Sequence, residues 1–361
     1  MGKFILKRFF YGILVLLGVI VINFFLFNVL PGDPARMMLG QRADVASVQA
    51  INKDLGRDRP LLIQFFNYLN DLSPISIHNA VDRESFWFLD KSKYNHVVKL
   101  LPLSKENILV LKKPYLRRSY QSKRMVSEIL AEGFANTIVL AMVAMVFAVF
   151  FGIIIGIICA IFKNSVIDRV ALVFSVLGMS LPSFFAAILN AWLFAFVLAG
   201  ITHLNMTGSL FSVDDFGKGE YLDLKNLILP AFTLGIRPLA IIVELTRNSL
   251  LEVLSQDYIR TARAKGLSNF NIITRHALKN AMNPVITAIS GWLASLLAGA
   301  VFVEFIFDWR GIGVVIVNAL EKYDFPVVMG AVLFISVILV IINILVDIVY
   351  GMLDPRVRIG H

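Results

Sequence analysis

Cysteine is almost absent from this chain, since Cys159 is the only one among 361 residues. A lone cysteine forms no disulfide within the chain and builds no cysteine-ligated metal centre. The sequence also lacks a GxxxxGK[ST] phosphate cradle, so any ATP that drives this protein must be bound by another subunit. Its five histidines fall outside the long apolar runs and form no HExxH motif, which leaves Ser180 and Ser183 without a base for proteolysis. We therefore expect no cofactor and no metal site.

Charged residues are scarce as well. They make up 16% of the chain, against 58% hydrophobic residues, and the mean hydropathy is +0.76. This composition predicts an all-α integral membrane protein. Six stretches reach the roughly 20 apolar residues that a helical span needs. They cover about residues 9–30, 136–162, 170–199, 227–246, 284–304 and 327–350.

Basic residues in the short connections predict the orientation. An even number of spans puts both termini on one side, and Lys and Arg in short loops mark the cytoplasmic side. Such residues precede the first span, fill the 247–283 loop and follow the last span. We therefore expect an N-terminal membrane helix over 1–30, a five-helix core over 133–350, and a tail over 351–361, with both termini cytoplasmic.

Residues 31–132 form a long segment between the first two predicted spans. Loops of this length cross the membrane largely regardless of charge, so the segment is expected to be an external subdomain. Short strands are predicted by the aromatic residues at 86–88 and by the ILVL run at 108–111. The sequence leaves two interpretations open, a solvated structural cap and a docking surface for an extracytoplasmic partner. A helix is predicted by apolar residues at helical spacing, namely Leu61, Leu62, Phe65, Phe66 and Leu69.

The stretch 256–285 lies between two predicted spans and reads as two short helices joined by a tight turn. Tyr258, Ala262 and Gly266 recur every four residues, which puts one ring and two small residues on a helical face that a partner could approach closely. Gly266 supplies a left-handed helix stop, and Ser268 is suited to cap the next helix. A helix-turn-helix that reads DNA is the competing interpretation. Membrane spans at both ends disfavour it, so no nucleic-acid partner is expected.

Two features inside the predicted spans suggest a path through the membrane. Pro182 and Ser183 lie where a proline would kink the long third span, and kinked helices either line pathways or serve packing. Arg237 lies near the centre of the fourth span, where it cannot face lipid. It either lines the path and attracts a peptide carboxylate, or it pairs with an acid of a neighbouring helix or subunit. Glu304 and Asp308 are expected at the solvated external mouth.

Short motifs run along nearly the whole chain. They are PGDP at 31–34, LPSF at 181–184, ILP at 228–230, LTRNSLLEVLSQDYIRTARAKG at 245–266, RHALKNAMNPV at 275–285 and DIVYGMLDPRVR at 347–358. Together they resemble the membrane permeases of bacterial dipeptide, oligopeptide and nickel ABC importers. Residues 73–115 look like an insertion in the external loop. The RTARAKG block is the most specific motif, because it resembles the cytoplasmic loop that such permeases insert into a groove of their ATPase.

This resemblance implies a fold of six transmembrane helices, a location in the bacterial cytoplasmic membrane and a mechanism. In the family, an ATPase dimer closes on ATP and rocks two permeases between inward-open and outward-open shapes. The implied partners are a second, different permease, two ATP-binding subunits, an external solute-binding protein and the lipid bilayer, and the chain itself is not an enzyme. Arg260 and Lys279 stand where the wider superfamily has an acid and a proline. By matching position, Ala262 and Gly266 would allow close docking, and Arg260, Arg263 and Lys265 would engage acidic or polar rim groups of the ATPase. The residues expected in the ATPase-coupling loop are Tyr258, Arg260, Ala262, Arg263, Lys265, Gly266 and Leu278.

The substrate is only broadly constrained. Di- or oligopeptides are the first expectation, and nickel or another small solute is the alternative within the family. Nickel ranks below peptides because the sequence shows no cluster of His or Cys ligands facing the path. A secondary transporter driven by an ion gradient is the alternative outside the family. Such proteins usually show inverted repeats and a carboxylate near the midplane. The sequence shows no convincing repeat, and Arg237 is its clear midplane charge.

Overall fold

The computed structural model describes residues 2–28, 48–49, 52, 59–82, 85, 87–90, 93–94, 97–214 and 219–353. The PGDP motif, Phe86 and the last eight residues of the tail lie outside the described residues. The chain divides into two compact units. The core unit comprises Met1–Phe9, Gly133–Val314 and Leu339–His361, and the outer unit comprises Phe10–Glu132 and Val315–Ile338.

The described residues are mostly helical, as their composition predicts. Two π-helical stretches, Ala191–Val197 and Ile272–Ala277, continue α5 and α9. The described helices are α1 (Gly2–Asn28), α2 (Leu61–Leu72), α3 (Val126–Ile161), α4 (Val166–Ser180), α5 (Ser183–Asn190), α6 (Ala199–Thr202), α7 (Lys225–Leu254), α8 (Asp257–Ala264), α9 (Asn269–Asn271), α10 (Leu278–Gly299), α11 (Val301–Ile306), α12 (Ile312–Glu321) and α13 (Phe325–Leu353).

Within the described ranges, four helices are long and apolar enough to cross a membrane. They contain the segments Leu6–Phe27, Val126–Ile161, Lys225–Leu254 and Phe325–Ile348, and a fifth crossing exists if the bent pair α4 and α5 counts as one. The predicted span at 284–304 falls on α10 and α11 instead of on one long helix. The described helices therefore account for four or five crossings by this criterion, against the six expected.

The predicted kink at Pro182 is in fact a break between two helices. α4 and the helical segment from Ser183 to Val197 meet at 113°. Leu181 adopts φ −73° and ψ 128°, because a residue before proline is pushed out of the α conformation. Pro182 then directly precedes the first turn of α5, where its missing N–H costs nothing. The expectation of one kinked helix over 170–199 was therefore wrong.

The core unit is organised around α7. Glycines of α3 lie where the two helices cross: a Cβ at Gly152 would lie 2.8 Å from the Ile242 side chain, and one at Gly156 would lie 2.6 Å from Thr246 Cβ. Neither position has room for a side chain, so the helix backbones approach closely. α7 also packs along α4 and α10.

The outer unit contains residues 31–132, the segment that the sequence predicts to be external. The helix predicted from its apolar spacing is α2, and a three-stranded antiparallel sheet follows it in the order β1-β3-β2. The strands are β1 (Ile75–Asn79), β2 (Val98–Pro102) and β3 (Asn107–Leu111), which confirms the strand predicted from the ILVL run. Phe88 forms only an isolated bridge to Asn79. In the core unit, β4 (Phe211–Val213) and β5 (Glu220–Leu222) form a hairpin.

Candidate coupling loop and transmembrane path

The loop after α7 folds as two helical segments with a tight turn between them, as its sequence predicts. α8 ends at Ala264, and Gly266 has φ +78°, a left-handed conformation that glycine adopts without strain. Ser268 Oγ accepts the backbone N–H of Asn271 at 3.3 Å and caps α9. The second segment is not a short helix, because it continues through π-helical turns into α10. A force on the loop therefore acts directly on a long helix of the core.

Ala262 faces the interior of its own chain, although it was expected to be one of the small residues that allow a partner to dock closely. It is 9% exposed, and Ile259, three residues earlier on the same face, is fully buried. Both pack against Leu250 at the end of α7 and against Ile272. The small side chain of Ala262 thus lets α8 lie close to its own core. Small residues that recur every four positions indicate a face that can be approached closely, but they do not reveal whether a partner protein or the core of the same chain packs against that face.

The opposite side of α8 is exposed and basic. Arg260, Arg263 and Lys265 are exposed, and so are Tyr258 and Gly266. An ion pair joins Arg260 Nη1 to Asp257 Oδ1 at 3.4 Å, with side chains that are 75% and 95% exposed. A pair this exposed stabilises little, at about 0–1 kcal/mol. The Arg260 guanidinium therefore remains accessible to a partner.

Tyr258 and Leu278 connect the exposed loop to the start of α10. The Asn280 side-chain amide donates a hydrogen bond to the Tyr258 hydroxyl at 2.9 Å, which holds the ring against the second segment. Leu278, the first residue of α10, is half-buried. Of the seven residues expected in the ATPase-coupling loop, five are exposed, Leu278 is half-buried, and Ala262 is buried against its own chain.

Phe270 is a feature of this loop that the sequence interpretation missed. Its ring is 74% exposed, and Leu267 beside it is 39% exposed. Phe270 lies two residues after the Ser268 cap, so its position is set by the first turn of α9. A large aromatic residue in a loop rich in cations was the signal in the sequence. The loop therefore presents an aromatic side chain together with several cations.

A buried ion pair joins the N-terminal turn of α4 to the C-terminal part of α7. Arg247 Nε lies 2.6 Å from Asp168 Oδ1, and Arg247 Nη2 lies 2.8 Å from Asp168 Oδ2. The two side chains are 14% and 2% exposed. Asp168 Oδ2 also accepts the Asn164 backbone N–H at 2.8 Å, and Ser165 caps the same helix. This bidentate pair ties the α3–α4 turn to the helix that leads into the coupling loop.

Arg237 is exposed on α7 and lies over an aromatic ring of α10. Its guanidinium carbon is 5.9 Å from the centre of the Trp292 ring, within the range of a cation–π contact. Among the described residues, no carboxylate forms an ion pair with Arg237. The expected acid partner is therefore not found in the described part of this chain. Pro182 is exposed and Ser183 is half-buried. Among the described residues, neither of them forms a hydrogen bond or a ring contact with Arg237.

α10 carries an exposed polar row that the sequence interpretation overlooked. Asn283, Thr287, Gly291 and Ser295 recur every fourth residue, and all four are exposed. The Thr287 hydroxyl donates to the Asn283 carbonyl at 3.0 Å, so it is satisfied by its own helix. Trp292, the partner of Arg237, directly follows Gly291. Polar side chains on a membrane helix generally face other helices or a water-filled cavity.

Glu304 is buried, which contradicts its expected place at a solvated mouth. It is fully inaccessible to solvent, and its carboxylate accepts hydrogen bonds from Thr137 Oγ1 at 2.7 Å and from the Gly313 N–H at 2.6 Å. The Thr137 hydroxyl also accepts the Ile312 N–H at 3.0 Å. Glu304 thus anchors the first turn of α12. Asp308 is exposed, as expected.

Comparison with known proteins identifies the class to which this arrangement belongs. The family described as binding-protein-dependent transport system inner membrane component matches residues 152–359. A family describing the N-terminal part of such membrane components matches residues 1–85. The chain belongs to this family of inner membrane transport components. It is therefore a multi-pass protein of the inner membrane.

Individual relatives align over nearly the full chain. The dipeptide transport system permease protein DppB of Escherichia coli K12 is 32% identical over 381 residues, with 99% of each chain covered. The DppB protein of Bacillus subtilis 168 is 33% identical, also with 99% of each chain covered. A solved structure of the MetNI methionine ABC transporter in inward-facing conformations is 16% identical, with a TM-score of 0.48, and covers 63% of this chain and 97% of that chain. That likeness is too distant to carry an argument.

Proposed function

We propose that this chain is the membrane-spanning permease of an ATP-driven importer of short peptides. The full-length relatives named as dipeptide permeases support this substrate class. The partners would be a second, different permease, two cytoplasmic ATP-binding subunits and an external solute-binding protein. With α10 and the α4–α5 pair counted as crossings, six spans put both termini in the cytoplasm.

The observation that carries the coupling role is the exposed tip of the 256–279 loop. It joins an aromatic anchor, Phe270, to the cations Arg260, Arg263 and Lys265. Aromatic and arginine side chains dominate the binding energy of most protein interfaces. The buried side of α8 packs on α7, so the tip has a firm base. This arrangement suits a groove with acidic or polar rims, in which the ring enters and the cations contact the rim.

The Phe270→Ala variant tests the coupling surface, with Phe302→Ala as its matched control. Phe302 is also an exposed phenylalanine of the core unit, at 59%, but it lies in α11, away from the loop. Truncating a central aromatic residue is expected to cost about 2 kcal/mol, or about 30-fold in affinity. The measurement is co-purification of the ATP-binding subunits and solute-stimulated ATP hydrolysis. Equal behaviour of the two variants would remove Phe270 from the interface.

For the path, we propose that α7 and α10 contribute Arg237, Trp292 and the polar row to its wall. The support is the exposure of a cation, of three polar side chains and of Gly291 on helices that pack together. Arg237 would hold the terminal carboxylate of a peptide in transit, and the bend at Pro182 and Ser183 would border the same path. Uptake is measured with free-acid and amidated forms of one peptide. Arg237→Gln is expected to slow uptake of the free-acid peptide more than uptake of the amidated peptide, and Arg237→Lys is expected to keep the uptake of the free acid. Equal losses of uptake for the two peptides would indicate a structural role of Arg237.

The substrate class is tested by uptake into proteoliposomes that contain the complete complex. Labelled di- and tripeptides are expected to accumulate with ATP, and labelled nickel is not. Accumulation of nickel without peptides would support the alternative within the family. Accumulation of either solute after removal of the ATP-binding subunits would support the secondary transporter and contradict the proposed coupling.

A further inference from the structure

The external subdomain of the outer unit has an inverted distribution of side chains. Its outward surface carries large aliphatic and aromatic side chains, such as Leu62 at 72% exposure, Phe66 at 58% and Leu101 at 61%. Its interior holds His78 and Lys112, which are 1% and 4% exposed. A subdomain surrounded by water would place these groups the other way round.

The strand register shows that this outward surface is continuous. Ile75 of β1 lies opposite Leu111 of β3, and Leu111 lies opposite Val98 of β2, all on one face of the sheet. In the next row, Ile77, Leu109 and Leu101 are aligned in the same way. A groove of about 440 Å³ between α2 and β1, lined by residues that include Phe66, Ile75 and Ile77, joins the helix to this face. We call the exposed side of α2 and this sheet face the outer apolar face.

Polar contacts fill the other side of the sheet. The Tyr94 hydroxyl donates to Asp71 Oδ1 at 2.6 Å, and Lys112 Nζ donates to the Asp71 carbonyl at 2.7 Å. His78 bonds to Ser76 Oγ at 3.0 Å, and its ring packs against Tyr94. These groups satisfy one another and leave Ile75 and Ile77 outside, and Val110, opposite Ser76, is the buried aliphatic residue of β3.

Contacts within the outer unit hold α2 against two membrane-length helices, near the ends of their apolar segments. The Phe65 ring is 5.1 Å from that of Phe24, and Tyr68 packs with Phe24 and Met329. The Asn23 side chain donates to the Tyr68 hydroxyl at 3.2 Å and to the Met329 carbonyl at 3.0 Å. Asn23 and Phe24 belong to the membrane-length segment of α1, and Met329 belongs to that of α13. One side of α2 thus packs on two membrane helices, and its other side is exposed.

The charge around the outer apolar face suits a membrane surface. Between residues 61 and 125 the sequence has eleven Lys and Arg against five Asp and Glu, a net charge of +6. Lys99, Lys105 and Lys113 are exposed on or beside the sheet. Basic residues beside an apolar face are attracted to anionic headgroups while the apolar side chains enter the acyl boundary.

We propose that the outer apolar face is a lipid-binding surface, immersed in the outer leaflet with anionic headgroups along its basic rim. The segment at 73–115, which looked like an insertion, supplies the sheet that widens this surface. The external subdomain is then an interfacial anchor that steadies α1 and α13. This inference requires that the subdomain is external, and it is independent of the transported solute.

Site-directed fluorescence in the assembled complex tests this surface. Leu62→Cys, Ile77→Cys and Leu101→Cys are each labelled with an environment-sensitive dye in a Cys159→Ala chain. Ser122→Cys, in the exposed turn before α3, is the matched control. The complex is placed in nanodiscs of phosphatidylcholine and phosphatidylglycerol. At the three test positions, brominated acyl chains are expected to quench most of the fluorescence, and aqueous iodide is expected to quench little. At the control position, iodide is expected to quench most and the brominated chains little.

Two results would overturn the proposal. Quenching of the test positions by iodide would show that the outer apolar face is exposed to water. Protection of the test positions from both quenchers would show that another subunit covers this face. Because a cysteine variant can fail to fold, the unmodified complex is also photo-cross-linked with a phosphatidylglycerol that carries a diazirine in its acyl chain. Cross-links are expected in residues 61–77 and 98–111. Their absence from both segments, with cross-links present in α1, would contradict the assignment even if peptide uptake proceeds normally.

Discussion

The buried pair between Asp168 and Arg247 allows a stability prediction with a matched control in the same chain. Removing one partner of a buried ion pair typically costs about 3–5 kcal/mol, because the remaining charge is left unpaired. The Arg247 side chain keeps 14% exposure, which favours the lower end of this range. We therefore expect Arg247→Gln to destabilise the chain by about 3 kcal/mol. Arg260→Gln removes a pair that is mostly exposed and is expected to cost at most about 0.5 kcal/mol.

The lone cysteine provides the assay. Cys159 is fully buried, so a thiol-reactive fluorogenic dye reports unfolding of the core unit of the purified full chain. Arg247→Gln is expected to lower the melting temperature by several degrees, and Arg260→Gln is expected to leave it unchanged. The double variant Asp168→Asn with Arg247→Gln replaces the ions by two neutral amides that can still bond. Its loss should be smaller than the sum of the single losses.

Two outcomes would refute this reasoning. Equal melting shifts for Arg247→Gln and Arg260→Gln would mean that burial does not strengthen the inner pair. Strictly additive losses in the double-mutant cycle would mean that Asp168 and Arg247 act independently in spite of their bidentate geometry. Unchanged expression and oligomeric state of the control variants would show that the assay reports the pair itself.

Three further predictions concern other parts of the chain and use thermal unfolding as readout. Gly156→Leu would collide with α7 and is expected to cost about 1–3 kcal/mol, whereas Gly291→Ala, with open space at its Cβ, should be neutral or stabilising. Burial lowers the pKa of Lys112 from 10.5 to about 8. Between these two pH values the amine is protonated in the unfolded chain and neutral in the folded chain, so the free energy of unfolding rises with pH. Lys112→Met should flatten this rise. Glu304→Gln puts an amide against two donors and should destabilise the core unit, whereas Asp308→Asn should not.

The sequence predicted the helices and the turn of the coupling loop better than it predicted which side chains of the loop are buried and which are exposed. The glycine stop at Gly266 and the cap at Ser268 depend on local backbone chemistry, and both are confirmed. The direction in which Ala262 points depends on which helix packs behind α8, and no local pattern records that. Phe270 was overlooked for the same reason, because only the folded loop shows that its ring is mostly exposed.

The polar row of α10 and the outer apolar face were also beyond the reach of the sequence alone. Asn283 and Thr287 look like ordinary polar interruptions of an apolar helix until their common exposure is known. Residues of β1 alternate, but the alternation of Ile75 and Ile77 with Ser76 and His78 does not reveal which face is inside. The usual rule would bury the isoleucines, and the structure buries the serine and the histidine instead. Sequence periodicity predicts that two faces exist, and the environment decides their assignment.

The close contacts along α7 explain why the coupling loop is attached to a stiff element. α7 contains two internal prolines, which would normally weaken a helix of 30 residues. Gly152 and Gly156 bring α3 against it, and a Cβ at Gly235 of α7 would lie 2.9 Å from the Ala144 carbonyl of α3. The Arg247 pair adds α4 to the same body. Bending α7 alone would therefore break close packing on two sides, so a displacement of α8 is expected to carry α3, α4 and α7 together.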